Sequence, residues 1–198
     1  MAFWSENFDG SGIKDPKRKF RFIVSFSSLQ TPEGGPLLWM AKTAGKPSFT
    51  ITETSHEYLN HKFYYPGRTE WETLDIVVVD PGSKDGDMAA NFAQIVQNAG
   101  YNPPSSAADL VSMSKKSAVT SLGTALITQL DAEGKPIETW TLWNAFITSL
   151  KFGDLDYASD DLNEVTMTLR YDWARLETAT ASSVTTLAGG NKNEIFKP

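Results

Sequence analysis

The sequence predicts a mostly antiparallel β domain with two short helices inserted in the middle of the chain. The main observation is the strict alternation of polar and apolar residues over 164–175, which is typical of a strand with one solvated face. Residues 19–29 alternate in the same way, and the β-branched run that ends at Val79 fits a buried, pleated surface. Only one segment has a convincing helical spacing of apolar residues, so strands account for most of the predicted structure.

Composition excludes several classes of function. The 198 residues include no cysteine, so disulfides, thiolate metal sites and cysteine nucleophiles are absent. A net charge of −6 argues against binding nucleic acid through a basic surface. No apolar run approaches the ~20 residues of a membrane span, and the N-terminus lacks the apolar region of a signal peptide. We therefore expect a protein made and used in the cytoplasm, without export or membrane insertion.

The first residues, 1–18, read as a polar N-terminal arm that carries three isolated aromatic side chains. Two interpretations stay open, namely docking of the arm onto a neighbouring subunit and folding back onto its own domain. A strand over 19–29 follows, and further short strands are predicted over 37–41 and 47–54.

The stretch from Leu59 to Gly82 is predicted to contain the central hairpin, over 61–80. Proline fixes φ near −65° and glycine tolerates positive φ, so Pro66-Gly67 reads as a tight reversal between two strands. The apolar run before Asp80 favours burial within a sheet. Four aromatic residues surround the predicted turn: Phe63, Tyr64, Tyr65 and Trp71. We expect the hairpin to serve both folding and subunit contact.

A helix is predicted after this hairpin, capped by Asp85 or Asp87 and ended by Gly100. Its buried face is formed by apolar residues at helical spacing: Met88, Phe92, Ile95, Val96 and Ala99. A second, weaker helix is predicted from Ser106 to about Ser117, with Lys115 and Lys116 at its negative end.

The C-terminal half returns to strands. We predict a strand from about Thr124, a hairpin turn over 131–135, and a strand over 164–175 whose apolar face carries Val165, Met167, Leu169, Tyr171 and Trp173. Residues 176–198 have no periodicity and are predicted to form a tail, which is flexible alone or ordered by a partner.

Candidate chemistry is weak throughout. His56 and His61 are five residues apart, a spacing that places them together on neither a single helix nor a single strand, so surface hydrogen bonding is the favoured interpretation. The acidic segment 153–164 fails the EF-hand pattern because Ala158 and Val165 occupy ligand positions, although a looser calcium loop stays open. Nothing in the sequence supports an enzyme, and no cofactor is predicted.

Residues 37–82 and 129–174 resemble the tail tube proteins of contractile-tailed, T4-type bacteriophages. Five signatures lie in the family's order: K-x-x-x-K-P at 42–47, F-Y-Y-P-G at 63–67, V-D-P-G at 79–82, W-x-L-x-N-A-F at 140–146 and V-x-M-T-L-R-Y-D-W at 165–173. The resemblance covers most of 19–175 and is carried by the set of motifs.

The resemblance implies a two-sheet antiparallel β-sandwich or barrel with inserted short helices, the Hcp-like fold of type VI secretion tube proteins. It implies hexameric rings that stack into the inner tube of a contractile tail, a conduit for DNA ejection in the virion. The implied partners are other copies of the chain, the tail sheath protein, baseplate and tail terminator proteins, and phage DNA that passes without sequence-specific binding.

On this interpretation the chain divides into an arm (1–18), a β tube domain (19–175) with a helical insert near 84–118, and a tail (176–198). The segment 42–60 resembles the long loop that reaches an adjacent ring. Candidate assembly or turn residues are Lys42, Pro47, Tyr64, Tyr65, Pro66, Gly67 and Trp71. We expect four acids to lie near the lumen or a subunit boundary: Asp154, Asp156, Asp160 and Asp161.

Three alternatives remain at this stage. A tube-initiating baseplate protein shares the same fold. A calcium- or ligand-binding β-sandwich module would use 153–164, and a hydrolase would use His56 or His61.

Overall fold

The computed structural model describes residues 16–29, 40–81, 87–103, 112–178 and 194–195. These residues contain eleven strands and two helices. The strands are β1 (Phe22–Phe26), β2 (Ala41–Ala44), β3 (Phe49–Tyr58), β4 (His61–Trp71), β5 (Leu74–Val79), β6 (Ala125–Leu130), β7 (Pro136–Trp143), β8 (Phe146–Lys151), β9 (Glu164–Arg170), β10 (Trp173–Thr178) and β11 (Glu194–Ile195). The helices are α1 (Met88–Asn98) and α2 (Lys115–Leu122).

The strands form two large sheets and one small one. The larger sheets have the orders β1-β6-β7-β10-β11 and β2-β5-β9-β8, and the third consists of β3 and β4 alone. Every pair is antiparallel. The predicted mainly β, antiparallel architecture with inserted helices is therefore confirmed.

The core lies between the inward faces of the two large sheets and helix α1. Val24 and Leu142 come from one sheet, and Ile76 and Met167 from the other, all at most 1% exposed. Phe92 of α1 is completely buried among them. Alternation along β5, β6 and β9 sends every second side chain into this core, as the sequence pattern predicts.

The strand predicted over 164–175 is two strands that belong to different sheets. Its chain leaves β9 at Arg170 and enters β10 at Trp173, so the intervening Tyr171 and Asp172 form the corner between the sheets. The Asp172 amide donates to the carbonyl of Trp143 at 3.0 Å, and its carboxylate accepts from Asn144 at 2.7 Å. Tyr171 stays buried, but the next buried residue is Ala174, so the core-facing side shifts by one residue at the corner. The prediction that Trp173 continues the same apolar face is therefore wrong, and its ring stacks on Trp143 at 6.1 Å between centroids.

The first predicted helix is confirmed, including its cap. The Asp87 side chain accepts the amide of Ala90 at 2.8 Å, and Gly100 follows the helix with φ of 109°. Met88, Phe92 and Ile95 form the buried face.

The second predicted helix is wrong in its bounds and in the end at which its two lysines lie. Ser106 and Asp109 lie outside the described residues, but 112–114 are not helical and α2 begins at Lys115. Ser114 is its cap, accepting the Ser117 amide at 3.1 Å, so the two lysines occupy the first turn rather than the last. This cap outweighs the dipole preference because it satisfies a backbone donor directly.

The remaining boundaries differ in detail. The predicted turn at 131–135 is confirmed: the Asp131 amide donates to the Lys135 carbonyl at 3.0 Å, and the Asp131 carboxylate accepts two amides of the turn at 2.8 Å. Strand β10 extends past the predicted start of the tail at 176, and β11 pairs with its residues Leu176 and Glu177. Most of the predicted strand over 37–41 and the arm up to residue 15 lie outside the described residues. Neither helix described is long and apolar enough to cross a membrane.

Candidate assembly surface

Strands β3 and β4 form a long hairpin with almost no burial of its own. Every residue of β3 is exposed, and in β4 only Trp71 at the root is partly buried. The two strands pair with each other and with neither large sheet. An isolated two-stranded hairpin is marginally stable in water, so this one needs a covering surface to be well ordered.

The turn of this hairpin is at Leu59-Asn60, and the predicted reversal at Pro66-Gly67 is wrong. Tyr58 pairs with His61, and Leu59 between them has φ of 53°. Pro66 and Gly67 lie inside β4, opposite Glu53 and Thr52. The predicted hairpin of 61–80 contains β4 and β5, which do not pair with each other, so the predicted pairing is wrong. The predicted burial is also wrong for β4 and holds only for β5.

Gly67 is required by close approach of the two strands. The register shifts between Ile51 and Glu53, which places a β-bulge at this point of β4. A Cβ on Gly67 would lie 2.9 Å from the carbonyl oxygen of Thr52 and closer still to its Oγ1. The φ of Gly67 lies outside the left-handed region, so steric contact explains the glycine and turn geometry does not.

Seven large apolar or aromatic side chains on the hairpin face solvent, each between 41% and 85% exposed. They lie on both faces and at the tip: Phe49, Ile51 and Tyr64 on one face, Tyr58, Phe63 and Tyr65 on the other, and Leu59 in the turn. The sequence analysis named Phe63, Tyr64 and Tyr65 near the predicted turn and did not name the other four. Phe49, Ile51 and Tyr58 belong to β3, which the misplaced turn left outside the hairpin, and Leu59 is in the actual turn.

The root of the hairpin is tied to the core. Trp71 contacts the ring of Phe49 edge-on at 5.1 Å between centroids and the ring of Tyr171 at 5.9 Å. The Glu72 amide donates to the Ser48 carbonyl at 2.9 Å. The predicted assembly residue Trp71 therefore lies between the exposed strands and the corner of the sandwich. Pro47, also predicted, is partly buried just before β3.

Lys42, predicted from its motif, lies in β2, the strand that precedes the hairpin in the chain. Its ammonium donates to Glu164 at the start of β9, and this hydrogen bond, together with the carboxylate charge, raises the pKa of Lys42. The residue therefore connects the edge strand β2 to the end of the acidic segment.

The four candidate acids lie on the exposed loop between β8 and β9. The Asp156 carboxylate accepts the Ala158 amide at 3.0 Å, and Asp161 accepts the Ser159 hydroxyl at 2.9 Å. Asp154 is 3.4 Å from Lys151. The segment 42–60, expected to be a long loop, is strand β3 for more than half its length.

The two histidines lie on one face of the hairpin because the turn folds β4 back on β3, a placement that spacing along a single element cannot show. His56 pairs with Phe63, and His61 pairs with Tyr58. Within the described ranges, no group of three or more His, Asp or Glu side chains is arranged to hold a metal ion.

The comparisons with known proteins rest on structure. No family model and no curated protein sequence matches the chain. Among solved structures, a chain of the anti-feeding prophage baseplate gives a TM-score of 0.59 at 18% identity, covering 84% of this chain and 98% of the other. A chain from the sheath/tube terminator of an extracellular contractile injection system also gives 0.59 at 18% identity, covering 84% and 99%. A chain of the anti-feeding prophage tube-terminating cap gives 0.57 at 18% identity, covering 90% and 100%.

The chain has the fold of contractile-system tube proteins. The matched region covers 84–90% of this chain and nearly the whole length of each neighbour. At 18% identity the similarity establishes the fold alone.

Proposed function

We propose that the protein is a structural subunit that assembles into hexameric rings, which stack as the inner tail tube of a contractile phage tail. The observation that carries the proposal is the β3–β4 hairpin, which exposes apolar side chains on both of its faces. Monomeric soluble proteins rarely expose contiguous apolar surface of this kind, and such surface marks a site of protein contact. Because both faces carry exposed apolar side chains, neighbours must cover the hairpin from two sides, as they do within a closed and stacked assembly.

The open edges of the sheets support ring closure. Strand β8 forms one edge of the four-stranded sheet, and β1 forms one edge of the five-stranded sheet. An edge strand presents unpaired backbone donors and acceptors that template pairing with another chain. Heterologous contact between one edge and the next copy closes into a ring when the rotation between subunits is correct.

The proposed partners follow from the same interpretation. The neighbour structures are a baseplate, a sheath/tube terminator and a tube-terminating cap, so the fold occurs in assemblies that contain these parts. We assign this chain the tail sheath, baseplate and tail terminator proteins as partners, with phage DNA passing through the lumen. The assembly belongs to the virion tail and is made in the cytoplasm of the bacterial host.

A repeating tube subunit and a tube-initiating baseplate subunit share this fold and differ in how far they polymerise. We propose the repeating subunit, because a hairpin with two apolar faces suits contact with neighbours above and below. Stacks of many rings from the purified chain support this assignment, whereas single rings that never stack favour the initiator.

The acidic loop supports a role at the lumen or at a subunit boundary. Asp154, Asp156, Asp160 and Asp161 are all exposed, and a negative wall repels DNA phosphates so that the polymer slides without sticking. Location of this loop on the outer wall of an assembled tube would refute this part of the proposal.

The experiment compares two double variants that remove similar amounts of exposed apolar surface. Phe63→Ser with Tyr64→Ser changes hairpin residues that are 49% and 59% exposed, and Met113→Ser with Tyr101→Ser changes residues near the helices that are 47% and 60% exposed. Light scattering and negative-stain microscopy should show loss of rings in the hairpin variant alone. Equal assembly of both variants would show that the hairpin is not the contact surface.

A further inference from the structure

The core-facing side of the five-stranded sheet ends in a buried polar pair. Along β6 the inward positions run from Ile127 to Gln129, and along β7 they run from Leu142 to Glu138. Gln129 and Glu138 are direct partners in the antiparallel register and are 9% and 7% exposed. A buried carboxylate is costly unless it is paired and hydrogen-bonded, so the groups that contact Glu138 are needed to offset the free energy of its desolvation.

Two lysines from separate segments converge on Glu138. Lys17 donates to its Oε2, and Lys46 donates to its Oε1 at 2.7 Å. The Trp140 indole donates to the same Oε1 at 2.7 Å. The carboxylate thereby accepts three hydrogen bonds, and the two lysine side chains remain about half exposed.

Gln129 reinforces both attachments. Its Oε1 accepts from Lys46 at 2.7 Å, and its Nε2 donates to the carbonyl of Arg18 at 3.1 Å. The pair of inward side chains on β6 and β7 therefore holds one segment through Lys17 and Arg18, and the other through Lys46.

These two segments lead to different parts of the molecule. Residues 16–18 are the described end of the N-terminal arm and precede β1, and Lys46 lies between β2 and the exposed hairpin, two residues before Ser48. Two backbone bonds outside the strand ladders lie near the hairpin root: the Gly45 amide donates to Asp75 at 3.0 Å, and the Glu72 amide donates to Ser48 at 2.9 Å. Fixing the Lys46 side chain restricts the direction in which the hairpin leaves the domain.

We infer that Glu138 is a positioning residue for assembly, which fixes the N-terminal segment 16–18 and the root of the β3–β4 hairpin to one point of the sheet. Each subunit then presents residues 16–18 and the hairpin in a constant relative orientation. The assembly part of this inference rests on the proposed function, whereas the attachment of the two segments is a property of the single subunit.

The attachment is tested on dissociated subunits of the full chain with Glu138→Gln, which keeps the side-chain volume and removes the charge. Two readouts report the two segments separately: tryptic cleavage after Lys17 and Lys19, and hydrogen exchange of the Gly45 and Glu72 amides. Both should accelerate by at least about tenfold, the effect of losing one hydrogen bond to a charged group. Glu133→Gln, a charge change in the exposed turn between β6 and β7, is the matched control and should stay within about twofold.

Single lysine variants keep the inference falsifiable even if Glu138→Gln does not fold. Lys17→Met removes the first cleavage site, so its effect is read from cleavage after Lys19, and it should loosen the N-terminal segment alone. Lys46→Met should loosen the hairpin root alone. Glu138→Gln leaving either readout unchanged, or either lysine variant leaving its own segment unchanged, would overturn the shared attachment.

Assembly is then measured on the wild type and on Glu138→Gln by negative-stain microscopy. Wild-type rings together with at least about tenfold fewer rings in the variant would support the positioning role. Rings in equal number despite loosened segments would overturn it. If the wild type forms no rings while the two segments respond as expected, the proposed function fails and the attachment stands.

Discussion

Gly67→Ala tests the geometry of the hairpin most sharply. The new Cβ would lie 2.9 Å from the Thr52 carbonyl oxygen and closer to Thr52 Oγ1. Rotation of Thr52 would relieve only the second contact, and it would break the bond in which Oγ1 accepts the Arg68 amide at 2.9 Å. The backbones must therefore separate at the bulge, which costs about 2 kcal/mol as an overpacking term of ordinary size.

An opening cost of this size is large for a hairpin that has no core of its own. About 2 kcal/mol corresponds to roughly thirtyfold in the population of the opened hairpin. Hydrogen exchange of the Arg68 amide should accelerate by that factor, and ring assembly should fall with it. Gly45→Ala is the control, because its Cβ would meet its nearest neighbours at 3.4 Å, an ordinary contact.

A second substitution separates the two clashes. Thr52→Ala removes the hydroxyl, which is also the acceptor of the Arg68 amide, but leaves the carbonyl oxygen in place, so it should restore ring assembly of Gly67→Ala only in part. Unchanged Arg68 exchange in Gly67→Ala would refute the close approach of the strands. The strain would in that case have to be absorbed elsewhere, and the glycine would need another explanation.

Two further predictions concern the folded domain. Phe92→Ala should lower the free energy of unfolding by about 3–5 kcal/mol in urea titrations, since Phe92 is completely buried. The control Gln97→Ala changes an exposed residue of the same helix and should stay within about 0.5 kcal/mol. Equal effects of the two substitutions would contradict the placement of α1. Burial disfavours the charged form of Glu138, but hydrogen bonds from Lys17, Lys46 and Trp140 outweigh it and lower its pKa to about 2. Its stabilising contribution is therefore complete above about pH 4.5 and lost as the pH falls towards 2, at most about 3 kcal/mol with water screening the half-exposed lysines. Acid titration should show a smaller loss over this range in Glu138→Gln, and identical slopes would contradict the assignment.

Much of the fold follows from the sequence because local patterns and tertiary burial agree. The alternation over 164–170 and the Asp87 cap both act within a few residues, and both are confirmed. The break at Asp172 is invisible to the pattern, since Trp173 is as apolar as the residues before it, although the core side of β10 is that of Ala174.

The candidate surface was predictable in composition but not in geometry. Pro66-Gly67 has the residue types of a turn, and the structure uses them for a bulge that accommodates close strands, a choice set by pairing with β3. The actual turn at Leu59-Asn60 carries only asparagine as a local signal. Because the predicted turn is several residues from the actual one, the pairing of β4 with β3 is missed, together with about half of the exposed apolar side chains of the hairpin.

The buried Glu138 was missed for a different reason. A glutamate in a polar and apolar alternation is normally assigned to the solvated face. Glu138, Trp140 and Leu142 are alternate residues of β7 and therefore share its core-facing side. This alternation is the signal that the sequence offers. The two lysines that make the position tolerable are about 90 and 120 residues away in sequence, which no local pattern can show.

The proposed function requires the isolated chain to assemble through its exposed hairpin into closed rings. Light scattering combined with negative-stain microscopy of the purified wild-type protein measures this assembly. We expect ring-shaped particles with a mass of six times the 21.8 kDa of one chain, or tubes of stacked rings. A monodisperse 21.8 kDa species that persists at high protein concentration would contradict it.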